Sequence, residues 1–115
     1  MRKILVFEDY FKDFRKTLDR DTLKKVYQVL TLIMRVEVVP SKYLKPIVGK
    51  KGLWEIRIEH ESNIYRVFCC FDEGNLVILF NGFQKKTQRT PREVLDRAEA
   101  IMKNYFNQKK KHGNG

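Results

Sequence analysis

Arg57, Arg66 and Lys85, with the acid Glu59 near them, are the residues of this chain whose types and spacing could do chemistry. They fall on three successive apolar stretches of "LWEIRIEHESNIYRVFCCFDEGNLVILFNGFQKKT" that read as strands, about Leu53 to Glu59, Ile64 to Phe71 and Leu76 to Asn81. Turns are expected at Ser62-Asn63 and Glu73-Gly74, so the strands form an antiparallel meander. Side chains directly opposite across such a pair share a face. A turn at Ser62-Asn63 sets Glu59 opposite Arg66 and Arg57 opposite Phe68. The second hairpin brings Asn81 or Phe83 opposite Arg66, with Lys85 pointing the same way and Lys86 just beyond.

Cations gathered in the middle of a sheet repel one another and cost desolvation unless an anion joins them, which is the chemistry of an anion site. The competing reading is a surface ladder of Arg57, Glu59 and Arg66 worth only ~0.5 kcal/mol. In the functional reading, replacing Arg66 by alanine should remove the function with little loss of stability, and unchanged function would return Arg66 to the ladder. A three-residue turn would shift the parity and scatter the cluster. Glu59 is a candidate general base by position, and an ion pair with Arg66 is its other role.

The rest of the chain must hold these strands. With 115 residues, 43% of them hydrophobic, one domain can bury a core without metal or disulfide support. Residues Arg2 to Phe7 read as a first strand, and Asp9 can cap a short helix carrying Phe11, Phe14 and Leu18. From about Asp21, Leu23, Val26, Tyr27, Leu30, Ile33 and Met34 make the apolar stripe of a second helix. "VVPSKYLKPIVGKKG" reads as a basic loop. The last helix is announced by Thr90 as N-cap, Pro91 at N1 and Glu93 at N3, and continues through Val94, Leu95, Ala98, Ile101, Met102 and Tyr105. Ile56, Ile58, Val67, Cys69, Ile78 and Phe80 should face the two N-terminal helices as core, with Ile64, Phe68, Val77 and Leu79 on the face of Arg57.

A single domain over 1–107 is therefore expected, followed by a basic, disordered tail over 108–115. The excess of 24 basic residues over 14 acids, a net charge of +10, favours a polyanionic or acidic partner. Part of it lies in Lys42, Lys45, Lys50 and Lys51 and in the segment from Lys85 to Arg92, which could make phosphate contacts with a nucleic acid. No apolar run is long enough for a membrane helix and the short apolar start is no secretory signal, so a cytoplasmic protein is expected. The adjacent Cys69 and Cys70 lack metal-ligand spacing and read as structural thiols; no metal or cofactor is expected.

The ordered series "LWEIRI", "NIYRVFCCF" and "LVILFNGFQKKTQRTP" resembles the RelE/ParE toxin superfamily, most closely its phage-derived HigB-like branch. The resemblance implies an α+β fold, RelE-like and compact: two N-terminal helices on one face of an antiparallel sheet of about four strands, with a C-terminal helix. It also implies a type II toxin that cuts mRNA on the ribosome without metal and is restrained by an antitoxin, often a helix-turn-helix DNA-binding protein. Arg57, Arg66 and Lys85 match the family's basic positions and would act on the phosphate or leaving group, with Glu59 beside them. Lys86, Lys50, Lys51 and Arg89 would contact RNA, and the basic loop with Lys42 and Lys45 would dock ribosomal RNA. The chain departs from its better-known relatives in offering no histidine, tyrosine or aspartate near the last strand. That leaves open a ParE-like toxin that inhibits a DNA topoisomerase, or an inactive basic RNA-binding module.

Overall fold

The computed structural model describes residues 1–113. The chain runs β1 (Lys3–Val6), α1 (Tyr10–Arg15), α2 (Arg20–Arg35), β2 (Leu44–Pro46), β3 (Trp54–His60), β4 (Asn63–Asp72), β5 (Leu76–Lys85) and α3 (Arg92–Gly113). The strands form one mixed sheet in the order β1-β5-β4-β3-β2, with β1 parallel to β5 and the other neighbours antiparallel. The expected antiparallel sheet of about four strands is thus corrected to five. The added strand, β2, comes from the basic loop, where Leu44 is buried opposite Ile56.

The sheet is covered on both faces. Phe11, Phe14, Val26, Leu30 and Ile33 of α1 and α2 share one core with Ile56, Ile58, Val67 and Cys69. On the other face Ala98, Ile101 and Met102 of α3 pack with Phe68, Cys70 and Phe80. Burial on both sides explains the unbroken apolar run of β4. It also puts Cys69 and Cys70 in different cores as free thiols, where burial raises both pKa values, that of Cys70 to about 12. Such thiols are unreactive, as their spacing suggested.

The hairpin registers decide which residues meet. The first turn is Glu61-Ser62, both at positive φ (49° and 68°), rather than Ser62-Asn63. This slides the pairing by two, which preserves the faces but sets Arg57 directly opposite Arg66. The second turn has three residues, since Asp72 pairs with Leu76. It reverses the start of β5, so that Val77 and Leu79 join the α1/α2 core and Ile78 and Phe80 join the α3 core, opposite to the expected assignment. Between the pairs Val67–Gly82 and Cys69–Leu79, however, β5 carries one residue more than β4, a bulge at Phe80-Asn81. The bulge restores the parity, leaving Phe83 opposite Arg66 and Lys85 opposite Ile64. The turn that would have scattered the cluster is cancelled before the chain reaches it.

Gly82, immediately after the bulge, lies under Phe14 of α1: a Cβ there would come within 2.6 Å of the ring. Gly82→Ala should therefore lower stability by about 1–3 kcal/mol, because neither the ring nor the strand can give way freely. Urea denaturation of the two proteins measures this, and an unchanged midpoint would show that α1 is not seated on Gly82.

α3 begins at Arg92, one residue later than expected, with the Pro91 carbonyl accepting from the N–H groups of Val94 and Leu95. It also continues through 108–113, part of the expected tail; residues 114–115 lie outside the described part. Its far end is fastened where the Tyr105 hydroxyl donates to Asp72 at 2.6 Å and Lys109 reaches Asp72 at 2.7 Å and Glu73 at 3.1 Å. Burial raises the pKa of Asp72, but these donors outweigh it and hold the carboxyl below its ordinary value. No helix among the described residues is long and apolar enough to cross a membrane.

Candidate functional site

Three neighbouring strands bring the basic residues to the α3 side of the sheet. Arg57 of β3 faces Arg66 of β4, and Lys85 of β5 lies one pair further along, opposite Ile64. Two guanidiniums directly opposite each other are destabilising by themselves. The compensation is Glu55, whose Oε2 is 3.0 Å from Arg66 Nε and 3.5 Å from Arg57 Nε. This corrects the pairing expected for Glu59, which is displaced by the two-residue slide and stands exposed opposite Ile64. Glu55 was legible in the sequence as an odd position on the strand of Arg57, but the shifted turn pointed to Glu59 instead.

Burial separates the three cations. Arg66 is 2% exposed, its Nη1 donating to the Tyr65 carbonyl at 3.2 Å. Its buried Nε, although close to Glu55, has no aligned hydrogen-bond acceptor, so the contact is one of charge. Burial pulls the pKa of Arg66 down, Glu55 opposes this, and Arg57 adds to it. The Arg57 side chain keeps 31% of its surface open, and Lys85 is half-buried. The pKa of Lys85 is lowered, first by burial and then by Arg66, with Arg57 contributing and Glu55 acting against them. Arg57 and Lys85 are therefore the cations placed to meet a ligand, with Arg66 as a buried charge behind them. The expectation that Arg66→Ala would cost little stability does not survive this burial.

The other expected contacts are dispersed. Lys50 is tied to α3 by Asp96 at 2.6 Å and Glu99 at 3.1 Å, so its ammonium is already neutralised. Lys50 and the exposed Lys51 precede the Trp54 end of β3 in the chain. Lys86 and Arg89 are exposed in the segment between Lys85 and α3, next to the cluster in the chain. Asn81 lies in the bulge, and His60 ends β3 with its Nε2 3.8 Å from Glu61. Glu55 bridges Arg57 and Arg66, and with Lys85 beside them and Glu59 as the second acid the three cations keep a local excess of positive charge, which a phosphodiester would satisfy.

The family model described as phage-derived protein Gp49-like (DUF891) matches residues 12–103. The chain belongs to this family. It is a RelE/toxin-like family, and the match runs from α1 well into α3, so Glu55, Arg57, Arg66 and Lys85 all lie within it. Among curated proteins, none matches this Gp49-like chain.

Proposed function

We propose that this Gp49-like protein is a toxin of the HigB-like branch, part of a type II toxin–antitoxin pair, and an endoribonuclease that cuts mRNA on the ribosome. The observation that carries the reading is the convergence of Arg57, Arg66 and Lys85 around Glu55. Membership of a RelE/toxin-like family and the net charge of +10 support it.

In this reading Arg57 holds the scissile phosphate while Arg66 supplies charge from beneath. The ribose 2′-oxygen attacks phosphorus and the bond to the 5′-oxygen breaks. Glu59, exposed one step along β3 from Arg57, accepts the 2′-hydroxyl proton, and Lys85 gives its own to the departing 5′-oxygen. Charge accumulates on the phosphorane as the bonds change, so cations fixed in advance favour the transition state over bound substrate. The products are a 2′,3′-cyclic phosphate and a 5′-hydroxyl end. The partners are mRNA and ribosomal RNA in the cytoplasm and an antitoxin, a helix-turn-helix protein, that blocks the cationic face.

Inducing the protein and mapping 5′-hydroxyl ends on translating ribosomes tests this directly. New ends inside open reading frames are expected, and they should vanish when the antitoxin is supplied. Growth arrest with no new ends would refute the ribonuclease reading. Altered plasmid supercoiling in the same cells would then favour a ParE-like inhibitor of a DNA topoisomerase.

A further inference from the structure

β2 begins at Leu44, opposite Ile56, so from Arg57 onward the outer side of β3 has no strand beside it; the Arg57 N–H instead donates to the Tyr43 carbonyl at 2.8 Å. In this corner lies a cavity of about 150 Å³ lined by Lys25, Lys42, Tyr43, Arg57 and Glu59. Its cations come from α2, from the turn before β2 and from β3. Lys42 Nζ sits 5.5 Å from the centre of the Tyr43 ring. Unlike Lys50 and Lys109, neither Lys25 nor Lys42 has an acidic partner within ion-pair distance among the described residues. Arg57 is already shared with Glu55, so Lys25 and Lys42 against Glu59 leave this corner with one positive charge over.

We propose that this corner is a second phosphate subsite, which holds a backbone phosphate of the single-stranded RNA whose scissile phosphate sits at Arg57 and Lys85. The inference rests on the ribonuclease reading of that neighbouring face. Pockets for nucleosides and other small molecules run to about 300–1,000 Å³, so this one takes a phosphate and leaves the base outside. Arg57 belongs to both sites, one on each side of its strand edge. The substrate strand therefore crosses the sheet from β5 towards the open edge of β3. Lys42 thereby moves from the ribosomal-RNA contacts to the substrate strand.

The test is the double variant Lys25→Ala/Lys42→Ala, in which alanine also preserves α2. Binding of a short 2′-O-methyl oligoribonucleotide, which cannot be cleaved, is measured by fluorescence anisotropy across a salt series. Affinity should fall about tenfold, and the slope of log K against log salt should flatten by about 1.4, two contacts at about 0.7 each. On ribosomes, kcat/KM should fall by a similar factor, carried by KM. Lys110→Ala/Lys111→Ala, which removes the same charge from the far end of α3, should change neither quantity.

Equal losses in both double variants would show a diffuse charge effect and overturn the subsite. Weakened ribosome binding with unchanged oligonucleotide binding would assign the corner to ribosomal RNA and also overturn it. Should the wild-type protein bind the oligonucleotide through Lys25 and Lys42 yet cut nothing, the subsite stands and the ribonuclease reading falls.

Discussion

Lys85→Gln is expected to lower the rate of cleavage on the ribosome by about 10²–10³-fold while the protein remains folded. Lys85 is half-buried beside two guanidiniums, and its pKa is lowered by burial, Arg66 and Arg57. As the group that protonates the 5′-oxygen, it must carry its proton. Wild-type activity should accordingly fall as pH rises through the Lys85 pKa, and this alkaline limb should begin below the usual lysine value of about 10.4. Arginine keeps the charge but cannot give up its proton in this range, so Lys85→Arg should retain only the electrostatic share of the activity and lose the limb. Stability gives an independent reading. Folding lowers this pKa, so the unfolded chain binds the proton more tightly and charged Lys85 opposes folding at neutral pH. Its opposition disappears as pH rises through the lysine range, and Lys85→Gln should match or exceed wild type in Tm at pH 7. An alkaline limb unchanged in Lys85→Arg, or wild-type rates in Lys85→Gln, would remove Lys85 from proton transfer.

The face shared by Arg57, Arg66 and Lys85 was legible in the sequence because strand alternation survives a slide of the hairpin by two. The partner of Arg66 was not legible, since that slide exchanges Glu59 for Glu55 and depends on which two residues adopt positive φ. The position of Lys85 came out right for a reason the sequence did not display. A three-residue turn reversed β5, and the bulge at Phe80-Asn81 reversed it back. The apolar residues between the two irregularities, Val77 to Phe80, show the cost: their cores were exchanged, because each is hydrophobic enough for either face. β2 was hidden since three residues between Tyr43 and Ile47, one of them a proline, carry no period. The extension of α3 was hidden by its lysines, where Lys109 reads as tail until Asp72 is seen beneath it.

Arg66→Ala should lower stability by about 3 kcal/mol, and so cannot by itself decide what Arg66 does. Arg66 is 2% exposed, and truncation leaves a void and a Glu55 side chain, 15% exposed, that has lost its nearer cation. Arg57, 3.5 Å from the same oxygen, limits the damage without removing it. The informative variant is Glu55→Gln/Arg66→Met, which removes the buried pair together, fills the space and leaves the net charge unchanged. Replacing a buried ion pair by groups of similar volume is often neutral, so its Tm should return close to wild type. Cleavage should nevertheless remain about 10²-fold down, because the charge beneath the phosphate is gone and Arg57 is no longer held through its Nε. Thermal melts and ribosome-bound cleavage on the same preparations separate the two effects. A double variant that is both stable and fully active would make Arg66 and Glu55 a structural pair, leaving the phosphate to Arg57 and Lys85 alone.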